Sequence, residues 1–368
     1  MTYRRIVVKL GSSTLTAGTR KINPARVLDL VRQIVALQTS GAEVLLVSSG
    51  AMAAGRETLN YPELPRHVPA KQMLAAVGQP RLMALYEQLF GHYEATVAQV
   101  LLTRADLADR RRYLNARNTL MALLASRVVP IINENDTVAT EEIRVGDNDN
   151  LSALVANLVD ADLLVLLTDQ AGLYSADPRR NPTAELVHEI ATPEISDAVW
   201  ESAGGTSGGL GTGGMATKLQ AADLARRSGC TVLIAAGAGA DVLAQAAQGA
   251  AIGTWFRPTA TAVESRKRYI LSGGRAPGSV TIDAGAARAL RGGGSLLPVG
   301  IAGLTGAFER GDTVRVLGPE GDEIARGICN YGAEDLARIR GRRSDEIEAV
   351  LGYHFGDAFI HRDDLALL

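Results

Sequence analysis

Lysine is scarce in this chain: five residues, against 33 arginines. Cysteine is scarcer, with only Cys230 and Cys329, far apart in sequence. Two such cysteines build neither a disulfide framework nor a metal-binding spacing, which fits a reducing compartment. No run of about 18 apolar residues exists to span a bilayer. The opening MTYRRIVVKLGSS lacks the apolar core and small-residue cleavage site of a secretory signal. These absences set the expectation of a cytoplasmic protein with no membrane partner. A net charge of −2 leaves no bulk basic field for nucleic acid, so RNA is not an expected main partner.

What is present is an ordinary globular composition, 46% hydrophobic and 21% charged over 368 residues, long enough for two domains. YRRIVVKL (3–10) reads as a strand ending at Gly11, and AEVLLVSSG (42–50) as a second. Between them NPARVLDLVRQIVALQTSG (23–41) reads as a helix, with Asn23 as N-cap, Pro24 at the first helical position and Gly41 as the stop. Short apolar runs follow at 95–102, 127–133, 162–169 and 231–237, separated by helical segments near 70–90, 112–126, 150–159 and 216–228. Continuous apolar strands alternating with helices predict a mostly parallel sheet sandwiched by helices, an α/β fold whose ligands bind at the carboxyl ends of the strands. The texture changes after about 257, to a connector (261–276) and then short, evenly spaced runs with turn signals. The spacing predicts a domain over 1–260 and a small mostly-β C-terminal domain over 277–368.

The stretch GGTSGGLGTGGMATK (204–218) holds seven glycines in its first eleven positions and ends in one of the five lysines. It formally contains G-x-G-x-x-G at 209, 211 and 214, but a glycine-rich run rather than a strand precedes it, so it does not read as a dinucleotide fingerprint. The chain has no Gly-Lys pair and hence no P-loop. HEIAT at 188 is not a zinc motif, and DNDNLS at 147 lacks the glycine and distal glutamate of a calcium loop. What remains is a row of backbone N–H groups with no Cβ in the way, leading into a helix whose positive end carries Lys218: a phosphate cradle, or else a surface linker. Lys9 closes the first strand beside a second glycine turn. It either reaches solvent or joins Lys218 in clamping a polyphosphate, the arrangement phosphoryl transfer requires. INENDTVATEEIRVGDNDN (132–150) is either a solvated acidic loop or a site for an ammonium group, with amides reading a carboxylate. The five histidines lie outside all these motifs. A missing general base favours an acceptor that is already ionised, a carboxylate rather than an alcohol.

VVKLGSS, VSSGAMAAG, KQMLAAVGQ, LLTRADL, INENDTVA, VGDNDNLSALVA, LLTDQAGLYSADP and GLGTGGMATKLQAA together resemble the glutamate 5-kinases, of the amino acid kinase superfamily, and GSVTIDAGAARAL onward resembles a PUA domain. The resemblance implies the amino acid kinase fold and ATP-dependent phosphorylation of the γ-carboxylate of L-glutamate, the first step of proline synthesis, with Mg²⁺ held largely by the nucleotide. It implies that Lys9 and Lys218 neutralise the transferring phosphoryl group and that Asp169 holds the two lysines and, with Thr168, helps bind ATP. Gly211, Thr212, Gly213, Gly214, Met215, Ala216 and Thr217 would line the ATP phosphates up to Lys218, and the backbone at Gly11 and Gly50 would touch the phosphoryl group. Ser49, Gly50, Asp136 and Asn148 would bind glutamate, and Asp147 and Asp149 would serve feedback inhibition by proline. It further implies a homo-oligomer, dimer or tetramer, and a possible hand-over to glutamyl phosphate reductase. Rival readings are N-acetylglutamate kinase and aspartokinase. Carbamate kinase and a uridylate kinase are further rivals, and an RNA-binding role of the PUA-like segment is another, given the basic runs RIRGRR (338–343) and SRKR (265–268).

Overall fold

The computed structural model describes residues 3–64, 67–139, 148–204, 214–261, 264, 270–271 and 276–368. Contacts divide the chain into two units, Met1–Ala108 with Ala116–Thr261, and Asp109–Asn115 with Ala262–Leu368.

In the first unit, β1 (Arg5–Leu10), α1 (Ser12–Thr16), α2 (Pro24–Thr39), β2 (Glu43–Ser48), α3 (Ala51–Thr58), α4 (Val68–Gly91) and β3 (Val97–Leu102) follow one another. Then come α5 (Arg104–Ala108), α6 (Arg110–Ala125, of which the residues up to Asn115 belong to the second unit), β4 (Val129–Glu134), α7 (Asn148–Leu158), β5 (Leu163–Thr168), β6 (Glu189–Ile190), α8 (Asp197–Ser202), α9 (Gly214–Arg227), β7 (Thr231–Ala236), α10 (Val242–Ala247) and β8 (Thr254–Phe256). The strands form one sheet in the order β3-β4-β2-β1-β5-β7-β8-β6. Pairing is parallel from β3 through β7; β8 runs antiparallel to β7, and the two-residue β6 pairs parallel with β8. The short β6 and β8 carry too few residues for a periodic signal, so the sequence shows the parallel part and not this antiparallel end. The connections leave β1 toward β2 on one side and β5 toward β7 on the other. This makes the carboxyl ends of β1 and β5 the switch point where such sheets hold ligands.

Strand periodicity decides which side chains face the site. Ile6, Val8 and Leu10 of β1 enter the core with Val27, Leu30 and Ile34 of α2, Leu82 and Tyr86 of α4, and Val242 of α10. Lys9, one residue out of phase, therefore faces the other helical layer, that of α7 and α9. Asn23 caps α2 as expected, its Oδ1 accepting from the Arg26 N–H at 3.1 Å, with Pro24 next. Helices α3 and α4 approach unusually closely. A Cβ on Gly78 would stand 1.8 Å from the Ala51 carbonyl oxygen, and one on Gly55 1.9 Å from that of Leu74, so neither position accepts a side chain without parting the helices.

The second unit carries a five-stranded sheet in the order β10-β9-β11-β12-β13, made of β9 (Gly278–Ile282), β10 (Ile301–Gly306), β11 (Thr313–Leu317), β12 (Glu323–Ile328) and β13 (Leu365–Leu367). Its pairings are antiparallel except β9 with β11. The helix Ala284–Arg291, capped by Asp283 on the Ala286 N–H, and the helix Ala333–Ile339 close over Val280, Val314, Val316, Tyr331 and Phe359. This is the mostly-β domain that the turn-punctuated C-terminal sequence predicts.

Candidate active site

Two polar clusters meet at the first turn of α7. The first is ionic. Lys9 Nζ at the end of β1 lies 2.5 Å from Asp149 Oδ1, and Lys218 Nζ of α9 lies 3.4 Å from Asp149 Oδ2. The Thr217 hydroxyl donates to the same Oδ2 at 2.8 Å, and Lys218 Nζ donates to the Gly214 carbonyl at 3.0 Å. Lys9, Asp149 and Lys218 are 4%, 2% and 9% exposed, so these charges sit out of water, where mutual pairing decides whether they remain charges at all. Burial pushes the Lys9 ammonium below its usual range, Asp149 opposes that, and the nearby Lys218 adds to it. Burial also works against ionisation of Asp149. The two lysines and the hydrogen bonds from Lys9 and Thr217 outweigh it and hold the carboxyl below the ordinary carboxylate range. Two lysines against one carboxylate give the cluster an excess of cationic groups at the meeting point of the N-terminal turns of α7 and α9, whose dipoles add to the same field. Gly11 lies beside the ammonium: a Cβ there would stand in ordinary contact with Lys9 Nζ, at 3.5 Å.

The second cluster is neutral and starts one residue earlier. Asn148 Nδ2 donates to Ser49 Oγ and to Asn133 Oδ1, both at 3.0 Å. Asn133 Oδ1 also accepts from the Glu134 N–H at 2.9 Å, and Asn133 Nδ2 donates to Gln79 Oε1 at 2.8 Å. Ser49 is presented by the β2–α3 turn, where Gly50 sits at φ 111°, a left-handed conformation that a side chain resists, and where an added Cβ would meet Leu15 at 2.8 Å. On the turn after β4, half-buried Asp136 has its carboxyl pushed up to about 6 by burial.

The carboxylate between the two lysines is thus that of Asp149, the residue the resemblance places in regulation, and not that of Asp169. Asp169 Oδ1 accepts from the Thr168 hydroxyl at 3.0 Å; among the described residues no ion pair joins Asp169 to either lysine. Asp169 and Thr168 instead close β5 beside a cavity of about 750 Å³, within the range of small-molecule sites. Gln170, Tyr174, Asp177, Arg180, Gly214 and Met215 line it. Tyr174 and Asp177 fall within the motif LLTDQAGLYSADP but carry no role in the sequence reading, and Arg180 lies two residues beyond it. Ala216 is fully buried in α9, and Thr217 spends its hydroxyl on Asp149 and the Gly214 carbonyl. Gly211, Thr212, Gly213 and Asp147 lie outside the described residues.

Residues 4–236 match the amino acid kinase family model and residues 278–351 that of the PUA domain. A glutamate 5-kinase of Photobacterium profundum is 57% identical over 99% of this chain and 96% of its own length. Those of Shewanella oneidensis and Shigella flexneri are 55% and 54% identical over 100% and 98% of this chain and 98% of their own lengths. The chain belongs to the glutamate 5-kinase family. As a member of that family it is a kinase with an amino acid kinase domain and a PUA domain. Among the described residues no helix is long and apolar enough to cross a membrane, and no three His, Cys, Asp or Glu side chains gather as a metal cage.

Proposed function

We propose that this protein transfers the γ-phosphoryl group of ATP to the γ-carboxylate of L-glutamate, giving L-glutamyl 5-phosphate for proline synthesis. The observation that carries the reading is the adjacency of Asn148 and Asp149. One helical turn joins a neutral, hydrogen-bonding cluster suited to an amino acid to a buried cationic cluster suited to phosphate.

The γ-carboxylate of glutamate is ionised at neutral pH, so its oxygen attacks the γ-phosphorus without surrendering a proton. The bond from that phosphorus to the β-phosphate bridging oxygen breaks, and ADP leaves with the electron pair. Lys9 and Lys218 neutralise the oxygens on which charge spreads, and Asp149 keeps both ammonium groups charged and aimed while they are buried. Asp169 and Thr168, next in the chain to the cavity-lining Gln170, serve the nucleotide. Ser49 and Asn148 orient the acceptor, and Asp136 takes its α-ammonium. The residues fit a magnesium nucleotide: with no acidic cage among the described residues, the metal would ride on phosphate oxygens and supply further neutralisation there. Proline carries the same α-carboxylate beside a cationic nitrogen, so it competes for the acceptor site. Activity against proline at several glutamate concentrations tests that, and complete insensitivity contradicts it.

ADP release with L-glutamate, N-acetylglutamate, aspartate, carbamate and UMP tests the whole reading. Glutamate is expected to support turnover at least about 100-fold better than the others, because an acetylated nitrogen cannot pair with Asp136 and a shorter chain misplaces the carboxylate. Equal turnover with N-acetylglutamate overturns it.

A further inference from the structure

Helix α4 passes the neutral cluster at Gln79. The neighbouring Gly78 lies against the Ala51 carbonyl of α3, which brings Gln79 up to the end of β4. One fixed donor sets the polarity of every amide there. The Glu134 backbone N–H can only donate, and it donates to Asn133 Oδ1. Asn133 must then turn Nδ2 toward Gln79, which receives it on Oε1. Gln79 is left with Nε2 to present elsewhere, and that nitrogen is buried with no hydrogen-bond partner among the described residues. Asn148 is oriented by the same logic and has both its N–H groups occupied, on Asn133 and Ser49. In this network two donors are left over, the Ser49 O–H, which accepts from Asn148, and Gln79 Nε2, and it is Gln79 Nε2 that is buried without any partner among the described residues. A buried donor without an acceptor is costly to keep, and a site made to hydrogen-bond its ligand is a place where it is kept.

We infer that Gln79 is a specificity-determining residue, whose Nε2 donates to the α-carboxylate of the acceptor amino acid. The inference rests on the glutamate reading above and extends it by naming the group that reads the second carboxylate. A neutral amide suits that task. It recognises an anion, yet offers no cation to draw the reacting γ-carboxylate away from Lys9 and Lys218.

Gln79→Glu separates this role from a merely structural one. It keeps an oxygen for Asn133 Nδ2 and replaces the idle donor by an acceptor. Steady-state kinetics with L-glutamate and with its α-amide, which retains the γ-carboxylate, are the readout. The substitution is expected to raise the glutamate KM about 10- to 100-fold, with kcat and the ATP KM within about threefold. It is also expected to shrink the preference for glutamate over the α-amide at least about tenfold, because the introduced carboxylate accepts from the α-amide N–H. An unchanged glutamate KM, or an unchanged preference between the two acceptors, overturns the proposal. Should the variant fail to fold, Gln79→Met decides. It removes the donor, so the preference for glutamate over the α-amide must fall there too, and an undiminished preference overturns the proposal. No glutamate-dependent ADP release from the unmutated protein would instead overturn the glutamate reading itself, and this one with it.

Discussion

Lys9 Nζ and Asp149 Oδ1 stand 2.5 Å apart, and both side chains are almost wholly out of water. Neither charge is tolerable there alone, so each residue sets the protonation of the other. Asp149→Asn keeps the shape, and leaves Lys9 and Lys218 facing each other without a counter-charge. Lys9, already pushed down by burial, then gives up its proton more easily. Turnover is expected to fall roughly 10²- to 10³-fold, with a stability loss of about 3 kcal/mol from breaking a buried pair. Chemical denaturation alongside ADP release checks both; unaltered turnover in a folded variant would remove Asp149 from the mechanism.

Lys218→Ala tests the other side of the same cluster. Losing one preorganised charge on the phosphoryl group is expected to lower turnover by roughly 10²- to 10³-fold, about 3–4 kcal/mol. Asp149 and Lys9 remain paired in that variant, so its folding should suffer less than that of Asp149→Asn. Turnover at the unmutated level would refute the clamp.

Asp136 supplies a pH signature. Burial holds its carboxyl at about 6, so half of it is neutral near that pH and only the ionised form pairs with an ammonium group. The glutamate KM is expected to rise as pH falls through about 6, while the ATP KM stays flat. For folding the sign is opposite: a carboxyl raised by burial favours the folded state fully only below the ordinary value of 3.8, and that contribution is lost as pH rises from there through about 6. Asp136→Ala should raise the glutamate KM far more than the ATP KM and abolish the pH dependence of the former. A KM profile unmoved by the substitution would place the ammonium elsewhere.

Gly78→Ala probes the helix contact that carries the acceptor side. A methyl group 1.8 Å from the Ala51 carbonyl must push α3 from α4, a cost of about 1–3 kcal/mol or more. The shift moves Gly50 and Ser49 as well, so the glutamate KM should rise together with the fall in melting temperature. A melting temperature within 1 °C or so of the unmutated protein's would show that the helices part freely.

Much of this was legible in the chain. The apolar strands, the Asn23–Pro24 helix start and the change of texture past residue 257 are local signals, and local signals survive folding. Lys9 and Lys218 stood out because lysine is rare here. The partner of the lysines was not legible. In DNDN, Asp147 and Asp149 look alike, and a strand-end aspartate such as Asp169 is an equally natural counter-ion. Only the meeting of the first turns of α7 and α9, from segments some 70 residues apart, selects Asp149. Gln79 closes the motif KQMLAAVGQ, but its role is not legible there: it lies in a hydrogen-bond polarity set by the Glu134 backbone.

If one buried lysine–aspartate–lysine cluster delivers a phosphoryl group to a carboxylate, the product is an acyl phosphate. Trapping the product with hydroxylamine tests it most directly, since an acyl phosphate yields a γ-glutamyl hydroxamate and a phosphate ester does not. The unmutated protein should form hydroxamate in step with ADP, and Asp149→Asn should lower both at least about 100-fold. ADP release without hydroxamate, or undiminished hydroxamate from Asp149→Asn, would contradict it.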